Sequence, residues 1–375
     1  MSELTNTNRN ERDYYRQLLT TVSAAALIAS VTVASASDDS YQPTVWIELG
    51  GQLERVDSAN PLFAPAFFDA ASPAIKPIID EPMIDSQRRP RYAVGGEGTI
   101  IFAPEGSNWV FSASVRYGRG NSVKHLHREV DVSTATQAFP SSKAFFGDGQ
   151  TEFHESHAIL DFQAGKDVGL GIFGSGSSAI VSAGVRFAQF NSSAEVTLHA
   201  RPYVHNSPNP YLPSKYLFRH RHTIDYGAAA EATRSTRALG PSLSWDASMP
   251  FAKPNEHATL NFDWGLNAAI LFGRQKAHVH HQTSSQHFDN PYIGSHATSP
   301  LSVQAFNPPQ RSRTVTIPNV GGFAGLSLKF PNAKVALGYR ADFFFNAIDN
   351  GIDARRSESI SFYGPFATIS VGLGG

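Results

Sequence analysis

The chain has 375 residues, a formal net charge of -1 and only 17% charged residues, so it lacks the basic excess that a nucleic-acid-binding protein carries. It contains no cysteine, which excludes disulfides and thiolate metal sites. Glycine and phenylalanine are abundant, at 30 and 26 residues. The length permits one large β domain or two ordinary ones.

Residues 1–36 are predicted to be a cleaved secretory signal peptide. Three arginines between positions 9 and 16 precede an uncharged run at 18–33, and the small-residue site Ala34-Ser35-Ala36 follows it. This order of basic, apolar and small residues is typical of export signals. No later segment offers the 18 continuous apolar residues of a membrane helix. If the mature chain, residues 37–375, enters a membrane, it must therefore do so as a barrel.

Ten later segments alternate apolar and polar residues with a period of two, which predicts β-strands. Their connections alternate between long and short along most of the chain. Short turns on the periplasmic side and long loops outside are the plan of bacterial outer-membrane barrels. The segments lie near 43–57, 90–103, 109–119, 153–166, 177–204, 219–250, 258–275, 313–330, 334–347 and 358–374.

Two of these segments, 177–204 and 219–250, are far longer than the roughly 9 to 11 residues that cross a bilayer. In the first, the apolar residues are odd-numbered before Asn191 and even-numbered after it. Splitting the two segments near Asn191 and Ser235 gives twelve strands. The sequence therefore predicts ten to twelve strands, with a slight preference for twelve.

The alternation also predicts which face of each strand meets lipid. In the segment 109–119, Trp109 and Phe111 share one face, whereas Ser112 and Arg116 share the other. A barrel in lipid sends apolar side chains outward and polar ones inward. A soluble β-sandwich would also alternate, but it explains neither the export signal nor the loop asymmetry. We therefore predict an all-β, transmembrane, antiparallel up-and-down barrel in the outer membrane of a Gram-negative bacterium.

Six stretches distributed over most of the mature chain share a pattern with one group of such barrels. They are 161–169 (DFQAGKDVG), 184–190 (GVRFAQF), 240–246 (GPSLSWD), 262–265 (FDWG), 338–345 (GYRADFFF) and 362–366 (FYGPF). In these stretches the chain resembles the Legionella major outer membrane protein family of pore-forming barrels. The resemblance implies a porin-like outer-membrane barrel.

Nine charged residues are predicted to point into the lumen. Six acids against three arginines would favour cations in a water-filled channel. The sequence thus predicts a porin-like protein that allows passive diffusion of small hydrophilic solutes or cations. In a narrow barrel the same charges would form a paired plug, so the alternative is a plugged structural or adhesive barrel. The predicted pore-lining residues are Glu48, Glu97, Arg116, Asp161, Arg186, Asp246, Asp263, Arg340 and Asp342.

Histidines concentrate toward the predicted outer loops, which in the plugged alternative bind lipopolysaccharide, metal or a host surface. The spacing His278-x-His280-His281 suits borderline divalent metals, but solvated loop histidines are the simpler interpretation. We therefore predict no metal and no cofactor. Nine of the fourteen histidines lie in or beside these loops, namely His125, His127, His154, His157, His278, His280, His281, His287 and His296.

Four basic residues, Arg274, Lys276, Arg311 and Arg313, surround the longest late loop. They either meet lipopolysaccharide phosphates or are ordinary solvated charges. The predicted partners are thus outer-membrane lipid, lipopolysaccharide and small solutes or ions, with no nucleic acid and the oligomeric state left open. No G-x-S-x-G or H-E-x-x-H motif occurs, and the sequence predicts no enzyme.

Overall fold

The computed structural model describes residues 44–58, 92–134, 141–169, 177–208, 219–255, 257–290, 296–297, 301–306, 309–351 and 354–373. The predicted signal peptide at 1–36 lies outside the described residues. Within the described ranges, no helix has the length and apolar character that crossing a membrane requires.

Ten long strands form a closed antiparallel barrel. Each pairs with the next along the chain, and the last pairs with the first. Two short strands, β8 and β9, pair with the outer half of β7, which also pairs directly with β10. The predicted up-and-down transmembrane barrel is confirmed. The strands are β1 (Val45–Ser58), β2 (Tyr92–Phe102), β3 (Trp109–Thr134), β4 (Ser141–Asp167), β5 (Ser178–Pro208), β6 (Arg219–Asn255), β7 (Ala258–Asn290), β8 (His296–Ala297), β9 (Ser302–Phe306), β10 (Arg311–Lys329), β11 (Ala333–Asp349) and β12 (Ser357–Leu373).

Short turns lie at one end of the barrel, which we call the turn end. The start of β1 and the end of β12 lie there too. Val45 of β1 is opposite Leu373 of β12 there. In the turn between β2 and β3, Gly106 has a φ of 69°, which glycine adopts without a Cβ clash. The opposite end, which we call the loop end, carries the longest connection, which joins β1 to β2.

The preference for twelve strands was wrong. The segments 177–204 and 219–250 are single strands, β5 and β6, of 31 and 37 residues. They pair from Ser178 opposite Ser248 to Pro208 opposite Arg219, with one irregularity. The barrel wall therefore continues far beyond the height of a bilayer on this side.

Strand β7 shows how the two ends of the barrel differ. Toward the turn end, Phe262, Leu266, Ile270 and Phe272 are exposed on the outside, while Asn261 and Asp263 are buried inside. Exposed apolar side chains recur at this height on all ten strands, and we call this band the lipid belt. Its charged inner face and apolar outer face are those of a barrel in lipid.

Beyond Phe272 the same strand reverses its polarity. Arg274 and Lys276 are exposed on the outside, whereas Ala277 and Val279 are buried inside. We call the part of the barrel beyond the lipid belt, on the loop side, the outer zone. Its exterior is polar, as in a protein surrounded by water, and its interior combines apolar side chains with buried polar ones such as Gln275.

This reversal explains the parity change near Asn191. Even-numbered side chains of β5 are buried throughout, from Arg186 through Phe190 to Val196. The direction of the side chains is constant, but the surroundings change from lipid to water, so Glu195 is exposed on the outside. The parity change marks the upper edge of the lipid belt, not a turn.

Candidate functional site in the closed lumen

The nine predicted lumen residues all face the inside of the barrel. They are buried or half-buried and alternate with outward apolar side chains such as Leu49 and Phe343. Their role in lining a pore stays a prediction. The four that are buried as whole residues are Asp161, Arg186, Asp263 and Asp342, and the half-buried ones are Glu48, Glu97, Arg116, Asp246 and Arg340.

Arg186 of β5 connects four strands through its guanidinium group. Nε and Nη2 donate to Oδ1 and Oδ2 of Asp161 on β4, at 2.7 and 3.1 Å. Nη1 donates to Asn267 Oδ1 on β7 at 2.6 Å and to Asn319 Oδ1 on β10. The two-pronged contact with a carboxylate is the strongest geometry that arginine offers.

Two further ion pairs cross the interior. Arg116 of β3 contacts Asp342 of β11 at 2.5 Å, although three strands separate β3 from β11 around the ring. Arg340 of β11 contacts Glu97 of β2. Side chains therefore meet near the barrel axis instead of lining its wall.

A surplus of carboxylates remains near the turn end. Lys334 lies 2.6 Å from Asp263. Glu48 accepts a hydrogen bond from Ser370 at 2.7 Å, and Asp246 accepts one from Ser244 at 3.3 Å. Among the described residues, neither of these two carboxylates forms an ion pair with Lys or Arg, so this end of the lumen carries excess negative charge.

Glu54 and His157 form a buried pair that the sequence interpretation missed. His157 Nε2 lies 3.4 Å from Glu54 Oε1, with exposed fractions of 3% and 6%. A Cβ at Gly95 or Gly118 would collide with the Glu54 carboxylate, so these glycines on β2 and β3 make room for it. The prediction that His157 lies in or beside an outer loop is wrong, because this residue faces the interior from β4, in the same parity as Asp161.

Above this pair, three phenylalanine rings close the lumen. Phe190 of β5 lies 4.8 Å from Phe344 of β11 and 5.9 Å from Phe362 of β12, between ring centroids. In the ring of ten strands, β5 and β12 are diametrically opposite. The contact between Phe190 and Phe362 therefore spans the whole interior.

These rings belong to a buried apolar cluster, which we call the apolar layer. Eight of the ten barrel strands contribute to it. Burial of so many apolar side chains excludes water from this level of the lumen. Its members are Val56, Ile159, Ala188, Phe190, Ala238, Ala269, Leu271, Val315, Ile317, Phe344, Ala347, Ile348, Ile360 and Phe362.

A β-bulge in β11 turns part of this strand into the lumen. The register against β12 shifts between Phe344 and Ile348, and Asn346 has a positive φ of 57°. Ala347 and Ile348 are buried as a result. Thr236 of β6 donates to the carbonyl oxygen of Ala347 at 2.6 Å, which holds the bulge from across the barrel.

Basic side chains dominate a cavity of about 300 Å³ beside this bulge, at the loop end. Arg311 Nε lies 2.9 Å from Asp349 there. Arg234, in the outer zone, is buried, and this burial lowers the pKa of its guanidinium to about 10, an effect that Asp349 opposes. Arg234 therefore remains a cation at neutral pH. The cavity is lined by Gln275, Arg311, Ser312, Arg313, Asp349 and Arg355.

The histidine-rich segments lie mostly on strands of the outer zone instead of in loops. His278 and His280 face outward from β7, whereas His281 has the inward parity, so the three do not converge. His154 lies 2.9 Å from Glu152. No group of three or more His, Asp or Glu among the described residues is placed to hold a metal ion.

No family model matches the chain, and no curated protein matches it. Among solved structures, it is similar to the toluene transporter TodX of Pseudomonas putida, at 10% identity and a TM-score of 0.21, covering 90% of this chain and 92% of that one. A bacterial polysaccharide outer membrane secretin matches at 8% identity and a TM-score of 0.19, covering 89% and 100%. The transport unit of the autotransporter AIDA-I from Escherichia coli matches at 9% identity and a TM-score of 0.16, covering 94% and 97%.

With TM-scores this low, the fold assignment rests on the strand pairing itself. The closed ring, the apolar outer belt and the charged interior define a transmembrane β-barrel.

Proposed function

We propose that this protein is an outer-membrane channel for small hydrophilic solutes or cations, which the apolar layer closes at rest. The observation that carries the proposal is the charged interior of the lipid belt. Buried ion pairs stabilise a fold no better than apolar residues of similar volume, so a barrel that served only as an anchor would have no need of them. A polar path through lipid does need them, and an apolar constriction is a known way to gate such a path.

The balance of charge favours cations over anions. Among the described residues, the charged groups identified inside the belt include seven carboxylates and four cations. The acids are the six predicted ones with Glu54, and the cations are Arg116, Arg186, Arg340 and Lys334. Four buried carboxylate oxygens, on Glu54, Glu97, Asp263 and Asp342, have no hydrogen-bond partner among the described residues. The oxygen of Asp263 lies 2.6 Å from Lys334, whereas the other three also have no ion-pair contact in the described part of the chain. Buried acceptors without a donor are uncommon, and a passing hydrated cation would satisfy them.

Two features of the chain support the proposed location in an outer membrane. The outer zone is polar outside and lies at one end of the belt, as the external part of such a barrel does. The export signal that the sequence predicts at residues 1–36 supports the same placement. As part of the same proposal we keep the resemblance to the Legionella major outer membrane protein family, whose matching stretches fall on β4–β7, β11 and β12.

The test is single-channel recording in planar bilayers. We expect the unaltered protein to be mostly closed and the double variant Phe190→Ala/Phe362→Ala to conduct steadily, because the two rings that meet across the axis are gone. A matched control, Phe272→Ala/Phe343→Ala, removes two lipid-facing rings and should stay closed. The reversal potential in a salt gradient should show cation selectivity. Steady anion-selective currents, or a correctly folded double variant that never conducts, would contradict the proposal.

The second candidate is a permanently filled barrel that anchors the outer zone as a structural or adhesive surface. The ion pairs across the axis and the contact between Phe190 and Phe362 favour it. Under this alternative, both double variants remain silent at every voltage, because the ion pairs below the apolar layer still fill the lumen.

A further inference from the structure

A group of basic side chains lies on the outside of the barrel, directly beyond the lipid belt. It consists of Arg237 on β6 with Arg274 and Lys276 on β7, all exposed, and we call it the basic patch. Leu239 and Phe272, two residues away on the same faces, are exposed members of the belt. Two residues of a strand span about 7 Å, so the basic patch borders the apolar surface.

The strand pairing brings like charges together in this patch. Arg237 and Arg274 are directly opposite each other in the register of β6 and β7. Like charges in opposite positions destabilise a sheet unless something neutralises them. Arg274 Nε donates to Ser312 Oγ at 2.7 Å, which holds its guanidinium group in place.

No carboxylate neutralises the basic patch from a neighbouring strand, as far as the described residues show. The residues directly opposite its three members are all uncharged, apart from the mutual pair of arginines. Those residues are Gln189, Ser235, Ser312 and Thr314. The patch therefore offers two guanidinium groups and one ammonium group to an external anion.

We propose that the basic patch binds the phosphate groups of lipopolysaccharide in the outer leaflet. The inference rests on the proposed outer-membrane location, because the lipid belt then fixes the depth of the acyl chains and brings the phosphates to the adjacent rows of residues. Guanidinium groups bind phosphate through two parallel hydrogen bonds. A phosphate between Arg237 and Arg274 removes the repulsion that the register imposes on them.

Exposed cations also occur at the turn end, and they supply a matched control. Lys166, Lys253 and Lys329 lie on β4, β6 and β10, and no two of them belong to paired strands. The test compares the variant Arg237→Gln/Arg274→Gln/Lys276→Gln with the variant Lys166→Gln/Lys253→Gln/Lys329→Gln. Both remove three positive charges from the surface. Only the first removes the basic patch.

Binding is measured by native mass spectrometry of the full protein in nonionic detergent, titrated with diphosphoryl lipid A or with the same lipid after removal of its phosphates. We expect the unaltered protein to bind the diphosphoryl form more tightly. The patch variant should lose about tenfold or more in affinity, after allowance for solvent screening of exposed charges. The turn-end variant should keep its affinity.

Equal binding of the dephosphorylated lipid, or an equal loss in the turn-end variant, would overturn the inference. Complete displacement by excess inorganic phosphate would also overturn it, since the site would then take free anions. Heat-modified migration in detergent gels verifies that each variant is folded. Channel recordings on the same samples separate the two proposals, because lipid A binding does not depend on whether the lumen conducts.

Discussion

The lipid belt and the outer zone are built from the same strands, but their outward-facing side chains are apolar in the belt and polar in the outer zone. In the belt, Leu266 and Ile270 face outward and Asp263 is buried; in the outer zone of the same strand, Lys276 faces outward and Val279 is buried. The solvent around each height decides which face of the strand is apolar. The comparison teaches that strand pairing continues through the boundary while the pattern of polarity inverts.

The largest expected effect comes from removing a charge inside the belt. Arg186→Met leaves Asp161 buried without its partner and should cost about 3 to 5 kcal/mol of unfolding free energy. Adding Asp161→Leu should restore much of the loss. Unfolding in urea from lipid vesicles, followed by tryptophan fluorescence, measures both. A loss below about 1 kcal/mol would mean that Arg186 is solvated, as in an open lumen.

Truncating a side chain of the apolar layer should reduce stability as much as it does in the core of a soluble protein. Leu271→Ala removes a fully buried side chain and should cost about 2 to 5 kcal/mol. The adjacent Phe272→Ala should cost less, because lipid chains fill the space that its exposed ring leaves. The same vesicle assay compares the two. A greater loss for Phe272→Ala would break the distinction between the two faces.

A charge introduced on the outer face of the barrel should reduce stability in the lipid belt but not in the outer zone. Leu243→Arg puts a guanidinium on the lipid face near the middle of the belt and should cost about 2 to 4 kcal/mol. Thr233→Arg, at an exposed outward position of the outer zone on the same strand, should change stability by about 0.5 kcal/mol or less. Similar losses at both sites would show that the belt ends elsewhere.

The smallest effect concerns the bulge at the boundary. Asn346→Ala should cost about 1 to 2 kcal/mol, because alanine tolerates the positive φ poorly. Asn346→Gly should be neutral or slightly stabilising, since glycine adopts this conformation freely. Thermal unfolding midpoints of the two variants give the comparison. If both variants unfold alike, the positive φ is not a source of strain.

The sequence predicted the belt well because alternation is a local property. The inward direction of all nine lumen charges follows from side-chain parity, as Arg116 and Asp342 show, whereas the same parity led to the wrong preference for twelve strands. Side-chain parity could also have identified Glu54 as an inward-facing residue, because it shares its parity with Glu48. What parity does not reveal is that Gly95 and Gly118, on two other strands, leave the space that its carboxylate fills.

The height of the barrel was harder to predict. The change of parity between Phe187 and Val196 has two explanations, a turn or a change of surroundings, and the sequence does not choose between them. The apolar layer depends on this choice. Phe190 and Phe362 are 172 positions apart in the sequence, and only the closure of the ring brings them together. The assignment of these rings needed the complete topology.

The dependence of the apolar layer on Phe362 has a consequence for biogenesis. β12 is the final strand of the ring, and its pairing with β1 completes the cylinder. Phe190 cannot meet its partner across the axis until that last hairpin is in register. A barrel in which β12 has not yet paired with β1 therefore lacks the contact between Phe190 and Phe362, so completion of the apolar layer depends on the same step that joins the last strand to the first.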